Sequence, residues 1–455
     1  MPENLSRPRW LRTSLSALLL LSSGMLLACS PDASELDPSS IPPVMKQEEP
    51  LSYHRDAKAM VQRYCNDCHS AGGIAPFTLT SYADVKAHAP QIRAAVNSGS
   101  MPPWMPSDQG LALRNNRSMP AEHRAALLRW IDEGSIEGPS DAVSRPQLPP
   151  AEPVQPPRPD LVMDSGYDYQ PNSKLQDDYR CFIVDPKLTE DRYVQASDIT
   201  PGNAQIVHHV ILFEVPEKDA ERIRKKDTDA AGPGYTCFGG AGSNSASFVV
   251  GWAPGGVTNR LRSDEGVLLR KGSLLVMQVH YNLLQYKGVG DRTKATLELA
   301  PSKPPYRVLL VPMANPDELK IPAGNPNAKQ TLVVPIAIVL RYLGITAKEL
   351  VLTGTTPHMH MLGKSIYSRI EDGPMLLEIP HWDFHWQQGY HFKEPISLRP
   401  TDSLMMECAY DNSYANQPVV NGQKQMPREV TWGEGTLDEM CLSFMHLRIP
   451  QPATP

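Results

Sequence analysis

Thr356-Pro357-His358-Met359-His360-Met361 places two histidines two residues apart. Alternate residues of a β-strand share a face, so an extended chain here points His358 and His360 at one ion. Alone, the pattern describes a packed or solvated pair of histidines equally well. Three further ligand-grade stretches surround it. His208-His209 lies in an apolar run upstream, His280 closes Leu275-Val276-Met277-Gln278-Val279, and Met440 stands beside Cys441.

These residues fall into two chemically unlike sets. His208, His209 and His280 offer three imidazoles, which suits copper and its tolerance of planar or T-shaped nitrogen ligation. Neighbours on a regular strand face opposite ways, so His208 and His209 share an ion only at a twist, bulge or edge; otherwise one is buried and one exposed. His358, His360 and Met440 add a thioether to two imidazoles, a soft set that favours Cu(I) and is unusual for zinc. An all-nitrogen set suits electron storage and delivery. A methionine-softened set suits holding reduced copper where O2 binds.

The chain around these residues reads as strands. Residues 207–215, 274–281, 349–352 and 442–449 are apolar and rich in β-branched side chains, and Gly, Pro and Asn clusters divide them. The 45 prolines disfavour long helices; a charged stretch near Lys218 to Lys226 is the helical exception. Pro301-Ser302-Lys303-Pro304-Pro305 divides the β region into halves, 161–303 and 304–450, each with one ligand set.

The order of motifs is His208-His209, Gln278-Val279-His280-Tyr281, His358-Met359-His360-Met361-Leu362-Gly363-Lys364, then Gly435-Thr436-Leu437-Asp438-Glu439-Met440-Cys441. Tyr179-Arg180-Cys181, Gly251-Trp252-Ala253 and Cys408-Ala409-Tyr410 accompany it. Over residues 160–450 this resembles the copper type II, ascorbate-dependent monooxygenases, the peptidylglycine α-hydroxylating and dopamine β-monooxygenase family. The resemblance implies two all-β sandwich domains of jelly-roll type. His208, His209 and His280 would hold an electron-transfer copper, and His358, His360 and Met440 the copper that meets O2 and substrate. The two coppers would face each other across a solvent-filled cleft without bridging ligands. The implied reaction hydroxylates a C–H bond with O2 and two electrons. A Cys408–Cys441 disulfide would brace the Met440 strand. Two departures limit the substrate. Thr356 stands where the peptide-amidating branch has a carboxylate-binding arginine, and Phe444 stands where a tyrosine is expected. Neither a peptide C-terminal glycine nor a catecholamine is supported.

The region before residue 160 has another texture. Arg7, Arg9 and Arg12 precede an apolar run from Leu15 to Leu27, too short for a comfortable membrane span. Leu26-Leu27-Ala28-Cys29 resembles a bacterial lipobox. Residues 1–29 are thus expected to be a lipoprotein signal peptide, with Cys29 lipidated and Ser30 favouring the outer membrane, periplasmic side. Residues 30–50 read as a tether. The net charge of −6 excludes a general nucleic-acid binder.

Cys65-Asn66-Asp67-Cys68-His69 is the c-type haem attachment pattern. Cys65 and Cys68 would form thioethers and His69 would reach the iron. Met101, in Gly99-Ser100-Met101-Pro102, is the expected sixth ligand, with Met105 as the alternative. Residues 120–134 read as a closing helix with Leu127, Leu128, Trp130 and Ile131 on its apolar side, resembling that of a class I cytochrome c. The expected architecture is therefore a small all-α cytochrome c domain (51–140), a proline-rich linker (141–160) and the two β domains. The four remaining cysteines of the seven allow three pairings; Cys181–Cys237 and Cys408–Cys441, each within one half, are favoured.

The expected cofactors are two copper ions and one covalent haem c. Electrons would pass from a periplasmic donor to haem, then to the three-histidine copper, then to the other, helped by tethering. O2 and an unidentified organic substrate complete the partners. The competing reading is a non-catalytic copper-binding redox or buffering lipoprotein. His381, His385 and His391, around Trp382-Asp383-Phe384-His385-Trp386, read as packing histidines with a pocket lining as the alternative, and His446 reads as structural.

Overall fold

The computed structural model describes residues 49–452 apart from 72–74, 147, 149–154, 255, 257, 284–285 and 421. The signal peptide, Cys29, nearly all of the tether and part of the proline-rich linker lie outside the described residues.

Residues 50–145 form a small helical unit. A π-helical turn (Tyr53–Ala57) runs into α1 (Lys58–Tyr64), followed by α2 (Tyr82–Ala87), α3 (Ala89–Ser98) and α4 (Ala121–Asp132). Ser81 and Asp84 close a reciprocal capping box at the start of α2. Gly99 ends α3 at φ 79°, a left-handed conformation that glycine reaches without strain. Met60, Val61, Ile92, Val96, Leu127 and Trp130 make the core, and the Trp130 indole N–H donates to the Ile136 carbonyl at 2.9 Å. Leu128 and Ile131 are only partly buried against it.

The rest is mostly β-sandwich. In the half before residue 300, a five-stranded sheet runs Tyr235–Thr236, Asp177–Val184, Leu274–Asn282, Val207–Val215, Ser247–Trp252. In the half after residue 305, a four-stranded sheet runs Ala328–Pro335, Ser403–Tyr410, Gly363–Ile370, Met375–Ile379. A nine-stranded sheet serves both halves. It is continuous because Glu265–Leu269 pairs in parallel with Tyr306–Ala314 over two residues, Tyr306↔Glu265 and Arg307↔Gly266. Each half closes over its own apolar core.

Among the described residues, two α-helices interrupt the β region. Glu217–Asp229 is the charged stretch, anchored by Ile223. Ile336–Leu343 was not legible as a helix, because eight apolar-rich residues carry no period that separates helix from strand. Pro335 precedes it and Gly344 ends it at φ 63°, with Ile336, Val339 and Leu340 buried.

The helical unit docks on the half after residue 305. Lys393 N–H donates to the Ala112 carbonyl at 2.7 Å, Arg114 N–H to His391 at 2.8 Å, and Leu111 N–H to Leu376 at 3.0 Å. Leu113 enters the core of that half, and Trp104, Met105 and Leu111 pack against it.

Candidate metal centre

The adjacent histidines sit on a bulge. Pairing between Val207–Val215 and Leu274–Asn282 shifts register between Val207 and His209, with Val207 opposite Tyr281 and His209 opposite His280. A bulge sets two residues against one and breaks the facing alternation, so both imidazoles reach His280. The Nδ1 atoms of His208 and His280 are 3.2 Å apart, and those of His280 and His209 3.4 Å. The three ligand atoms all lie within 4.8 Å of one another. His280 donates its Nε2 proton to Asp177 Oδ1 at 2.8 Å, which leaves Nδ1 unprotonated toward the others. His208 Nε2 is buried without a hydrogen-bond partner. Burial lowers His280 below its ordinary value, and burial plus the neighbouring histidines hold His208 and His209 far below theirs. Three neutral nitrogen donors with a carboxylate behind one of them fit copper.

The methionine set is assembled differently. The strand Leu350–His358 ends at His358, so His360 is not a strand residue. Strand alternation therefore does not bring the two rings together. The chain turns at His360, whose carbonyl accepts the Gly363 N–H at 3.2 Å. Glu439 holds that turn: its carboxyl accepts the N–H groups of His360 at 2.9 Å, Leu362 at 2.6 Å and Met440 at 3.2 Å. His358 Nδ1 meets Gln387 Oε1 at 2.5 Å and His360 Nδ1 meets the Asp438 carbonyl at 3.1 Å. Both acceptors call for a proton on Nδ1, which leaves each Nε2 lone pair for a metal. Burial takes His358 down to about 4 and His360 to about 3. Met440 is buried, and Tyr410 hydroxyl donates to its carbonyl at 3.0 Å. Two neutral imidazoles and a buried thioether again suit copper.

The two sets are close. His209 and His358 ring centroids are 6.3 Å apart. Phe384 stacks on His208 at 4.2 Å and lies 6.0 Å from His360. The expected open cleft between the sets is thus closed in this structure. Asp177 explains the closure, because besides His280 it accepts the Thr436 N–H at 3.1 Å and the Thr436 hydroxyl, from the opposite half. Tyr179 hydroxyl adds a bond to the Glu434 carbonyl at 2.6 Å.

His209, His358, His360 and Met440 open on one cavity of about 560 Å³. His391 and His446 also line it, 5.0 Å apart. They pack against each other, as expected, and also form part of the cavity wall beside Gly389. His385 pairs with Asp383 at 3.0 Å on the surface.

In the helical unit, Cys65 and Cys68 are unpaired. His69 N–H donates to the Cys65 carbonyl at 2.9 Å, folding the motif into one turn. His69 Nδ1 meets the Phe77 carbonyl at 3.0 Å, which places a proton on Nδ1 and directs Nε2 away from that contact. Met105 accepts the Asp383 N–H on sulfur at 3.2 Å, whereas Met101 is half-buried just after α3. The other four described cysteines form Cys181–Cys237 and Cys408–Cys441, each with Cα atoms 5.8 Å apart.

Asp177, Phe384, Gln387 and Glu439 were not singled out from sequence. Glu439 carried a usable signal, an acid next to a ligand in a buried segment just before the strand Leu442–Pro450; the other three depend on contacts distant in sequence.

Residues 308–452 match the family of the copper type II ascorbate-dependent monooxygenase, C-terminal domain. The chain is similar to tyramine beta-hydroxylase of Caenorhabditis briggsae, 22% identical over 259 residues, covering 54% of this chain and 40% of that protein. It is also similar to DBH-like monooxygenase protein 2 of Mus musculus, 21% identical over 280 residues, covering 58% and 42%. DBH-like monooxygenase protein 1 of Gallus gallus is 21% identical over 264 residues, covering 54% and 40%. The matched stretch thus spans about two-fifths of these relatives' length. Together they show a likeness to the copper monooxygenases that is carried by residues 308–452 in the family match and by a little over half of the chain in the relatives.

Proposed function

We propose that this chain hydroxylates a C–H bond of an organic substrate, with one atom of O2 entering the product and the other leaving as water. Two electrons and two protons balance the reaction. The observation that carries this reading is a pair of unlike, buried, neutral ligand sets opening on one largely apolar cavity. Copper at the two sets would supply the redox chemistry and the O2 activation. The protein's own work is to keep six ligands neutral, fix their tautomers through Asp177, Gln387 and the Asp438 carbonyl, and shield the reacting bond from water. A copper buffer has no use for such a cavity.

The helical unit fits haem c. Cys65 and Cys68 are thiols in an attachment turn, and His69 keeps Nε2 for iron. Met101 is favoured over Met105, whose sulfur is engaged by Asp383. Haem there would accept electrons from a periplasmic donor. The signal peptide and the Cys29 lipid remain part of the proposal and would hold the enzyme in the cell envelope.

The test is metal and haem content of the chain lacking residues 1–29, beside Met440→Ala. One copper per ligand set and one haem per chain, with one copper lost or weakened in the variant, supports the reading. No copper uptake after anaerobic loading sinks it. Rapid mixing of haem-reduced protein with oxidised copper tests the electron route: haem that stays reduced over catalytic times refutes it.

A further inference from the structure

The helical unit and the ligand histidines meet at one loop. The segment that follows α3 lies along the half after residue 305: Ser107 N–H donates to the Glu378 carbonyl at 2.9 Å and Leu111 N–H to the Leu376 carbonyl at 3.0 Å. Gly110 has no room for a side chain there, since a Cβ would lie 2.8 Å from the Leu376 carbonyl oxygen. Within this segment, four residues after Met101, Met105 takes the Asp383 N–H on its sulfur at 3.2 Å. A thioether is a weak acceptor, so the docking around it holds this contact in place.

Asp383 opens a loop that touches both ligand sets. The next residue, Phe384, is buried, and its ring stacks on His208 with centroids 4.2 Å and planes 20° apart. It meets His360 edge-on at 6.0 Å. Further along, Gln387 donates to the Phe384 carbonyl at 2.9 Å and holds His358. Phe384 and His208 belong to opposite halves, and the closed arrangement held by Asp177 and Thr436 brings them together. Electron transfer falls steeply with the gap crossed through space and is better served by covalent bonds, hydrogen bonds and ring contacts. From the Met105 sulfur, one hydrogen bond, the Asp383–Phe384 backbone and one ring stack reach a ligand of the three-histidine set. The path to His358 runs three residues further along the loop and over a second hydrogen bond.

We propose that Met105, Asp383 and Phe384 form the bridge by which electrons enter the three-histidine set at His208. The bridge rests on the haem and copper sites proposed above. Each transfer moves one electron: ferrous haem iron becomes ferric, a cupric ion at the three-histidine set becomes cuprous, and no covalent bond forms or breaks. An external one-electron donor then restores the haem.

The experiment gives the oxidised, copper- and haem-loaded chain one electron from a flash-reduced flavin without O2 and follows haem absorbance. In the parent, ferrous haem should form and then decay at a rate independent of chain concentration. Phe384→Leu removes the stacked ring and Met105→Leu the sulfur acceptor; each should lose most of that rate. Phe384→Met, which fills the space without a flat ring, should match Phe384→Leu, and Phe384→Tyr, which keeps an aromatic face, should retain the parent rate. Copper content and haem potential should stay at the parent values, so that slower decay reports the bridge and not a lost site. If Phe384→Leu and Phe384→Met both release copper, Met105→Leu decides: slowing supports the bridge and an unchanged rate overturns it. Decay at the parent rate in all of these variants overturns the bridge and leaves the relay standing. Slowing in Met105→Leu with both Phe384 variants at the parent rate moves the terminus to Gln387 and His358 and overturns the assignment to His208. A shifted haem potential in Met105→Leu would make Met105 an iron ligand and overturn it too. Ferrous haem that persists in the parent overturns the relay and the bridge together.

Discussion

Glu439 holds His360 through the backbone: its carboxyl accepts the His360 N–H at 2.9 Å and, on the same oxygen, the Met440 N–H at 3.2 Å. Two ligands that are 80 residues apart in sequence are thereby fixed to one side chain. Glutamine keeps the size but replaces one acceptor oxygen with a donor, which then faces backbone N–H groups. Glu439→Gln should cost about 1–3 kcal/mol of stability. It should also weaken copper at the methionine set while sparing the three-histidine set. Chemical denaturation and chelator competition read the two effects separately; equal weakening at both sets would refute the assignment.

The same carboxyl gives a pH signature. Burial pushes Glu439 up to about 8 from an ordinary 4.5, against the pull of its backbone donors. Between those values the folded chain binds one proton more than the unfolded chain. Its contribution to stability is therefore greatest below about 4.5 and is lost as pH rises to about 8. Glutamine does not titrate. The stability of the metal-free parent minus that of Glu439→Gln should fall across this window and be level on both sides. A flat difference from pH 4 to pH 9 would remove the shifted carboxyl from the account.

Asp177 couples the halves as Glu439 couples two ligands. Burial raises its carboxyl, but the His280 bond and the two Thr436 donors outweigh it and hold the group below the ordinary range. Asp177→Asn should free the His280 tautomer and weaken copper at the three-histidine set by about 10–100-fold. Thr436→Val removes the hydroxyl donor and keeps the backbone N–H bond to Asp177, so it should leave that affinity within a few-fold while loosening the closed arrangement. Chelator competition measures the first and small-angle scattering the second. Equal losses of affinity would mean that closure, not tautomer control, sustains the site.

The sequence carried the ligand types and the strands that bear them, because histidine spacing and apolar runs are local. It could only state the condition for His208 and His209 to converge. The bulge that satisfies it depends on register against Leu274–Asn282, a partner strand far along the chain. For His358 and His360 the local rule misled, since His360 lies past the end of the strand and is fixed by a residue 79 positions away. The closure between halves and the docking of Leu113 into the core of the second half were equally invisible. Both arise from surfaces that no single segment encodes.

Gly354 shows how tightly the strand Leu350–His358 is set against its neighbours. A Cβ there would meet the Tyr390 carbonyl oxygen, with the His391 Cα and His446 Nδ1 each 3.1 Å away. The strand also shifts register between Leu352 and Gly354, where it pairs on both sides. Neither neighbour can yield without moving a central strand, since the crowding atoms are backbone or a buried ring. Gly354→Ala should therefore cost about 1–3 kcal/mol, the range for overpacking. The displacement should fall on Tyr390, His391 and His446, four residues from His358 and away from the three-histidine set. Copper content should stay at the parent level while the melting temperature falls. Melting temperature and metal analysis on one preparation decide it. Loss of copper together with stability would mean that the strand transmits the strain to His358, and that the ligand end is not mechanically separate from Gly354.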